Sequence, residues 1–270
     1  MNLLPLIFPA FMLSDGIFYG VSYNYDVTSY GTAVITSVDI NDNSDEIIIP
    51  ESIDGYTVTE IGSNAFVGCF YIKKITIPDT VASIGESAFM SCTSLTEVTV
   101  GNGVTVLPDD CFFSCTALKT VNLPETLEAI GDDTFFGCDN LDLYLPQSVK
   151  SIGSNAFGVH IDPHSGEFVS VYGFLVKGVT GSTAEQYAAA NNIDFIDMNN
   201  YLLGDVTGNG FVDAIDASEI LEEYSRASTG LPLMFTKKKK IMGDVNHDGV
   251  TDAVDASSIL AIYSELSTRI

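Results

Sequence analysis

The chain contains no tryptophan, only three histidines, and 11 Lys and Arg against 36 Asp and Glu, a formal net charge of −25. A surface this acidic repels phosphate backbones and anionic headgroups, so neither nucleic acid nor an anionic membrane is an expected partner. Without Trp the strongest sugar-stacking platform is missing, although 12 Tyr remain. Catalytic signatures are also absent: there is no G-x-S-x-G, no H-E-x-x-H and no glycine-rich phosphate loop. Acid pairs such as Asp109–Asp110 and Asp132–Asp133 stand at turn positions and read as a solvated face. Nothing marks two carboxylates facing each other across a cleft, as glycoside hydrolysis requires. His160 and His164 flank Asp162 in an irregular stretch and read as a surface loop. The apolar stretch Met1–Leu13 is too short to span a bilayer. It is similar to the middle of a signal peptide, but it lacks the basic start and contains two prolines. Residues 1–17 are therefore read as a signal remnant or an N-terminal extension.

What is present is repetition, of two kinds. Near the carboxyl end GDVTGNGFVDAIDASEILEEYSRAST, beginning at Gly204, is followed 39 residues later by GDVNHDGVTDAVDASSILAIYSELST, with 15 of 26 positions identical. Each copy places oxygen-bearing side chains at positions 1, 3, 5, 9 and 12 of a twelve-residue loop with glycine at 6. A hard cation such as Ca²⁺ takes about six to eight oxygens at about 2.3–2.6 Å, and such a loop supplies them only if it turns sharply in its middle. Gly210 and Gly249 allow that turn. The spacing assigns Asp205, Thr207, Asn209, the Phe211 carbonyl, Asp213 and Asp216 to one ion. Asp244, Asn246, Asp248, the Val250 carbonyl, Asp252 and Asp255 are assigned to a second, with His247 at loop position 4 facing solvent. Position 12 is Asp in both copies, where the EF-hand pattern has Glu. The segments before the loops, NNYLL and KKKKIMG, read as too short or too poor for an entering helix, and Lys237–Lys240 reads as a solvated linker. Each unit is thus loop-then-helix. Ile220, Leu221 and Tyr224, and likewise Ile259, Leu260 and Tyr263, form the expected apolar stripes along which the exit helices pack.

The second repeat lies between Ile61 and Phe157 and has a period of about 23 residues. Its lines open IGSNAFVGC, IGESAFMSC, LPDDCFFSC, IGDDTFFGC and a partial IGSNAFG. Phe66, Phe89, Phe112 and Phe135 share one position; Cys69, Cys92, Cys115 and Cys138 share another. Each line is followed by a short alternating strand. A coil this small cannot bury its own apolar residues, so the coils must stack around a continuous interior. Cysteines at one position of stacked coils point the same way, which predicts buried free thiols; Cys111 and Cys115 are the pair to examine for a bond. Upstream, Ile17–Thr59 alternates in strand fashion and reads as a β cap. Downstream, Ser182 and Glu185 form a capping box for a short helix ending at Asn191–Asn192, and the strand IDFI follows.

The duplicated loops with Asp at position 12 and the GDV openings resemble the dockerin family over the whole of Gly204–Ile270. That resemblance implies binding of two Ca²⁺ ions and of a cohesin module on a scaffoldin, as in a cellulosome. In the family, cohesin is met by loop positions 10 and 11 and by the exit helix. Here these are Ala214, Ile215, Leu221, Glu222 and Arg226 in the first copy, and Ala253, Val254, Leu260, Ala261 and Glu265 in the second. The 23-residue lines resemble the BspA-type leucine-rich repeats of bacterial surface proteins, the third departing with Leu-Pro for Ile-Gly and Cys111 for Ala. The expected fold class is α+β: a capped leucine-rich-repeat solenoid over 18–198, a linker at 199–203, and a small helical dockerin at 204–270. The expected function is that of a non-catalytic, secreted component of a cellulosome-type complex attached to the cell surface. Its repeats would bind a protein or glycan during plant polysaccharide breakdown. A cell-surface adhesin, or a repeat protein with an unrecognised enzymatic or inhibitory activity, is the alternative.

Overall fold

The computed structural model describes residues 6–7, 11–12, 18–19, 21–40 and 44–267. Most of 1–17 lies outside the described residues, and the reading of that segment as a signal remnant with it. The chain divides into two compact units, Met1–Ile193 and Asp194–Ile270.

The first unit is a parallel β-solenoid. Strands Glu46–Ile48, Lys74–Thr76, Glu97–Thr99 and Thr120–Asn122 pair in parallel, and the register steps by one repeat from Lys74 to Glu97 to Thr120. Strands Val106–Leu107, Ala129–Ile130 and Ser151–Ile152 form a second parallel ladder, in which Val106 pairs with Ala129 and Ala129 with Ser151, the last step one residue shorter. The interior between these ladders is filled by position. Phe66, Phe89, Phe112 and Phe135 are fully buried, and their rings stack with centroids 5.0, 5.2 and 5.3 Å apart. Burying one such side chain contributes on the order of 1.5–3 kcal/mol, so the column is a main source of cohesion. The five cysteines are free, as expected, and four are buried, whereas Cys69 is only partly so. Each of three also satisfies its thiol: Cys92, Cys115 and Cys138 donate to the carbonyls of Phe66, Phe89 and Phe112, at 3.1, 3.2 and 3.3 Å. The hydrogen bond with Cys115, followed by burial, pushes the Cys92 thiol up to about 12, so it stays protonated and inert.

The Ile-Gly that opens most lines has a steric cause. A Cβ at Gly131 would meet the Asp109 carboxylate and stand 2.6 Å from its backbone nitrogen. The coils approach so closely because side chains step between them: Asp109 accepts from the Asp132 amide at 2.8 Å, and Asp132 from the Ser154 amide at 2.6 Å.

At the amino end, strands Val21–Val27 and Thr32–Ile40 form an antiparallel hairpin that pairs in parallel with Tyr56–Ile61, giving the expected β cap with Tyr23, Ala33 and Ile35 buried. At the other end helix α1, Thr183–Ala190, begins where the capping box predicts. Ser182 accepts from the Glu185 amide, while Glu185 reaches back one residue further than expected and takes the Gly181 amide at 2.7 Å. The stretch holding His160 and His164 is not a loose loop. It is a hairpin of Val159–Ile161 against Phe168–Ser170, in which Asp162 accepts the His164 amide at 2.6 Å to make the turn and His160 bonds Asp139 at 2.8 Å.

In the second unit a strand forms at Asp194–Asp197, followed by three helices: α2, Ala214–Thr229; α3, Lys237–Gly243; and α4, Ala253–Ser267. Their core is Val206, Ala217, Ile220, Met242, Ala256 and Ile259, with Tyr201, Val212, Phe235 and Val245 packed against it.

Candidate metal centre and interaction face

The two loops fold alike, and each is wound around its own first and last aspartates. In the first loop Asp205 accepts the amides of Gly208, Asn209 and Gly210 at 2.7, 3.0 and 2.8 Å. Asp216 accepts the Thr207 amide at 3.1 Å with one oxygen and the Asp213 amide at 2.9 Å with the other. The Thr207 hydroxyl sits between them, 3.1 Å from Asp205 and 2.9 Å from Asp216. In the second loop Asp244 accepts the amides of Asp248 and Gly249, and Asp255 those of Val245, Asn246 and Asp252, at 2.8–3.1 Å. Asn209 and Asp248, at position 5, each close a tight turn onto the residue two ahead, Phe211 and Val250. Gly210 and Gly249 both stand at φ 86°, the left-handed turn their position requires. His247 is exposed at loop position 4, as expected.

The aspartates at positions 9 and 12 have a second role that the metal pattern conceals. Asp213 is the N-cap of α2 and accepts the Ile215 amide at 2.7 Å, while Asp216 at N3 returns to the Asp213 amide, which completes a capping box. Asp252 and Asp255 repeat the arrangement at α4. The signal is legible as D-x-x-D before an apolar run.

Two expectations fail here. The second loop does have an entering helix: α3 runs directly into Asp244, with the Thr236 hydroxyl accepting the Lys239 amide as N-cap. Lys237–Lys240 is therefore helical and not a solvated linker. The helix is held by tertiary contacts that outweigh repulsion within the lysine run: Lys239 pairs with Glu219 of α2 at 2.6 Å and lies 5.4 Å over the Phe235 ring. Threonine is a favoured N-cap, and this was the readable signal. The residues that lead directly into the first loop, 198–204, are turn and coil. The exit-helix stripes also differ from expectation. Ile220 and Ile259 are fully buried, but Leu221, Tyr224, Leu260 and Tyr263 are 42–46% exposed. Small Ala217 and Ala256, three residues earlier on the same face, take the inner positions and let the helices approach.

The residues assigned to a partner therefore lie mostly on open surface. Ile215 and Val254 are more than half exposed; Ala214, Glu222, Ala261 and Glu265 are exposed; Ala253 is half-buried. Arg226 is half-buried, bonded to Glu222 at 3.3 Å and to the Pro232 carbonyl at 3.4 Å. A residue not anticipated from the sequence is Glu223. Its buried carboxylate accepts the Met234 and Phe235 amides at 2.8 and 3.0 Å and straps the crossover 231–236 to α2.

The model of the BspA-type leucine-rich repeat region matches residues 35–161 in six copies, and that of the dockerin type I domain matches 203–261. The chain joins BspA-type leucine-rich repeats to a dockerin type I domain. No curated protein matches it. Among solved structures it is similar to a leucine-rich repeat protein of T. pallidum, at 30% identity and TM-score 0.49 over 57% of this chain and 68% of that one. It is also similar to a leucine-rich repeat protein of Bacteroides ovatus, at 34% identity and TM-score 0.46 over 50% and 37% of the two chains. Dockerin type I domains in general bind calcium and dock cohesins. Both modules are non-catalytic interaction modules typical of extracellular proteins. Among the described residues no helix is long and apolar enough to cross a membrane.

The dockerin loops suit a hard cation chemically. Asp216 and Asp255 are fully buried and Asp205 nearly so, yet none of the ion pairs among the described residues involves a loop carboxylate. Buried negative charge held only by neutral N–H and O–H donors is left without a counter-charge. The described residues hold no cluster of three His, Cys, Asp or Glu arranged for a metal. The side-chain oxygens brought together there are of mixed kind, the Thr207 hydroxyl bridging the Asp205 and Asp216 carboxylates.

Proposed function

We propose that the protein is a non-catalytic extracellular component of a cellulosome-type assembly, in which the dockerin attaches the repeat unit to a cohesin on a scaffoldin. The observation that carries this reading is the pair of in-register acidic loops, each running into a capped helix. The first loop would hold one Ca²⁺ through Asp205, Thr207, Asn209, Phe211, Asp213 and Asp216. The second would hold another through Asp244, Asn246, Asp248, Val250, Asp252 and Asp255. Calcium bound there supplies the positive charge that the loop carboxylates lack. The chain's own part is to fix the loops to the helices: the carboxylates at positions 9 and 12 cap α2 and α4, so an ordered loop and an ordered helix start are one structure. The exposed side chains Ala214, Ile215, Leu221, Glu222, Val254, Leu260, Ala261 and Glu265, with the half-buried Arg226 and Ala253, form the cohesin face. The repeat unit carries the ligand-binding role, for a protein or a glycan.

The second loop has four carboxylates and an entering helix, the first three carboxylates and Thr207. The second site is therefore the tighter one. Calorimetric calcium titrations of Asp205→Ala and Asp244→Ala variants test both the count and the order. Two sites in the parent are expected, with the larger loss of affinity in Asp244→Ala; a single site, or equal losses, contradicts this.

A further inference from the structure

The residue after each buried phenylalanine forms a column of its own on the outside of the solenoid. Val67, Met90, Phe113 and Phe136 occupy that position in successive coils. Backbone bonds tie the rows in order: the Gly68 amide to the Met90 carbonyl, Ser91 to Phe113 and Ser114 to Phe136, each at 2.8 Å. Phe113 stacks on Phe136 at 5.0 Å, and Phe168 from the hairpin covers Phe136 edge-on at 5.6 Å. Phe136 is thereby buried, whereas Phe168 and Val67 are 64% and 48% exposed and Met90 and Phe113 are half-buried. Phe70 is also exposed and lies against Gly68 at the Val67 end.

A column of acids belongs to the same turns. The amides of Met90, Phe113 and Phe136 bond the carbonyls of Ser87, Asp110 and Asp133 at 3.0–3.1 Å, so each apolar residue lies one turn from position 110 or its equivalent. Glu86, Asp109 and Asp132 stand immediately before those positions. Burial and then the charges of Asp133, Asp109, Glu86 and Asp132 raise the Asp110 carboxyl, which records how close the five acids are. None of the ion pairs among the described residues involves them. Four of the unit's five lysines are paired elsewhere, to Asp45, Glu97, Glu128 and Asp142.

We propose that the stripe Val67–Met90–Phe113–Phe168, with the acidic column of Glu86, Asp109, Asp110, Asp132 and Asp133 beside it, is a docking surface for a basic polypeptide segment that carries apolar side chains. The apolar stripe supplies burial and the negative charge of the acidic column selects positive charge. This deepens the reading of the repeat unit as the ligand-binding half and rests on it.

The probe is a labelled peptide of alternating lysine and phenylalanine, with alternating glutamate and phenylalanine as control, measured by fluorescence anisotropy on the full chain. Glu86→Gln/Asp110→Asn/Asp133→Asn removes three stripe charges while keeping the turns, because Asn64 and Asn155 already hold the same left-handed conformation in neighbouring coils. Asp26→Asn/Glu51→Gln/Glu125→Gln removes three exposed charges elsewhere. The surface is supported if the lysine peptide alone binds, the stripe triple and Phe113→Ser each weaken it about tenfold or more, and the distant triple changes it less than about twofold. Equal losses in the two triples, binding of the glutamate peptide, or no binding overturns it. So does self-association abolished by Phe113→Ser, which would make the occupant a second copy. A neutral polysaccharide bound equally by parent and stripe triple overturns the surface while leaving the repeat unit a binding module.

Discussion

Phe112 shows what a single position means in a solenoid. It is fully buried and stacks on Phe89 below and Phe135 above, so truncation breaks two ring contacts and leaves a cavity that the coils cannot close. Phe112→Ala is expected to destabilise the repeat unit by about 3–5 kcal/mol in urea unfolding. Asp110 behaves oppositely. Its carboxyl is raised by burial and by four neighbouring acids, so ionisation costs more in the folded state than in the unfolded one. For an acid raised on folding, stability falls as pH rises through the carboxylate range and is regained on protonation. Asp110→Asn should therefore raise the melting temperature at pH 7, and the difference should vanish below about pH 3, where both forms are neutral. A gain independent of pH would place its cause outside the charge. These residue roles were legible to different degrees. A period of 23 places Phe66, Phe89, Phe112 and Phe135, and Cys69, Cys92, Cys115 and Cys138, without knowledge of the rest of the fold. The carbonyl partner of each thiol, one coil earlier, is a tertiary fact.

Elements that depend on contacts distant in sequence were the hard ones. Helix α3 is a run of four lysines followed by Ile, Met and Gly, and its local sequence argues against a helix. It exists because Thr236 caps it, Lys239 finds Glu219, and Met242 enters the core. Of the expected apolar stripes on α2 and α4 only Ile220 and Ile259 are buried, and the other two residues of each lie outside. Periodicity shows which residues share a face, but not that the small Ala217 and Ala256 take the inner places and leave Leu221 and Leu260 outside. Glu223 tests this level. Its carboxylate holds the Met234 and Phe235 amides and so anchors the crossover leading into α3. Glu223→Ala is expected to cost about 1.5–3 kcal/mol in thermal or denaturant unfolding of the dockerin, the worth of buried hydrogen bonds to a charged group. A change under about 0.5 kcal/mol, the size typical of an ordinary surface position, would show that the crossover holds without it.

For the whole molecule, the division of labour follows from how each unit achieves its stability. The repeat unit closes its interior with columns of Phe, Leu, Ile and Cys. The dockerin has a small core of six buried residues and gathers buried aspartates in its loops without cationic side chains to balance them. The central claim is that the loops' calcium makes the dockerin competent for its partner. Its most direct test is the affinity of the purified full chain for a panel of scaffoldin cohesins, measured by calorimetry first in excess calcium and then in excess chelator. The account predicts binding to at least one cohesin in calcium and loss of that binding in chelator, restored when calcium is returned. A cohesin affinity that is the same in chelator as in calcium would contradict it.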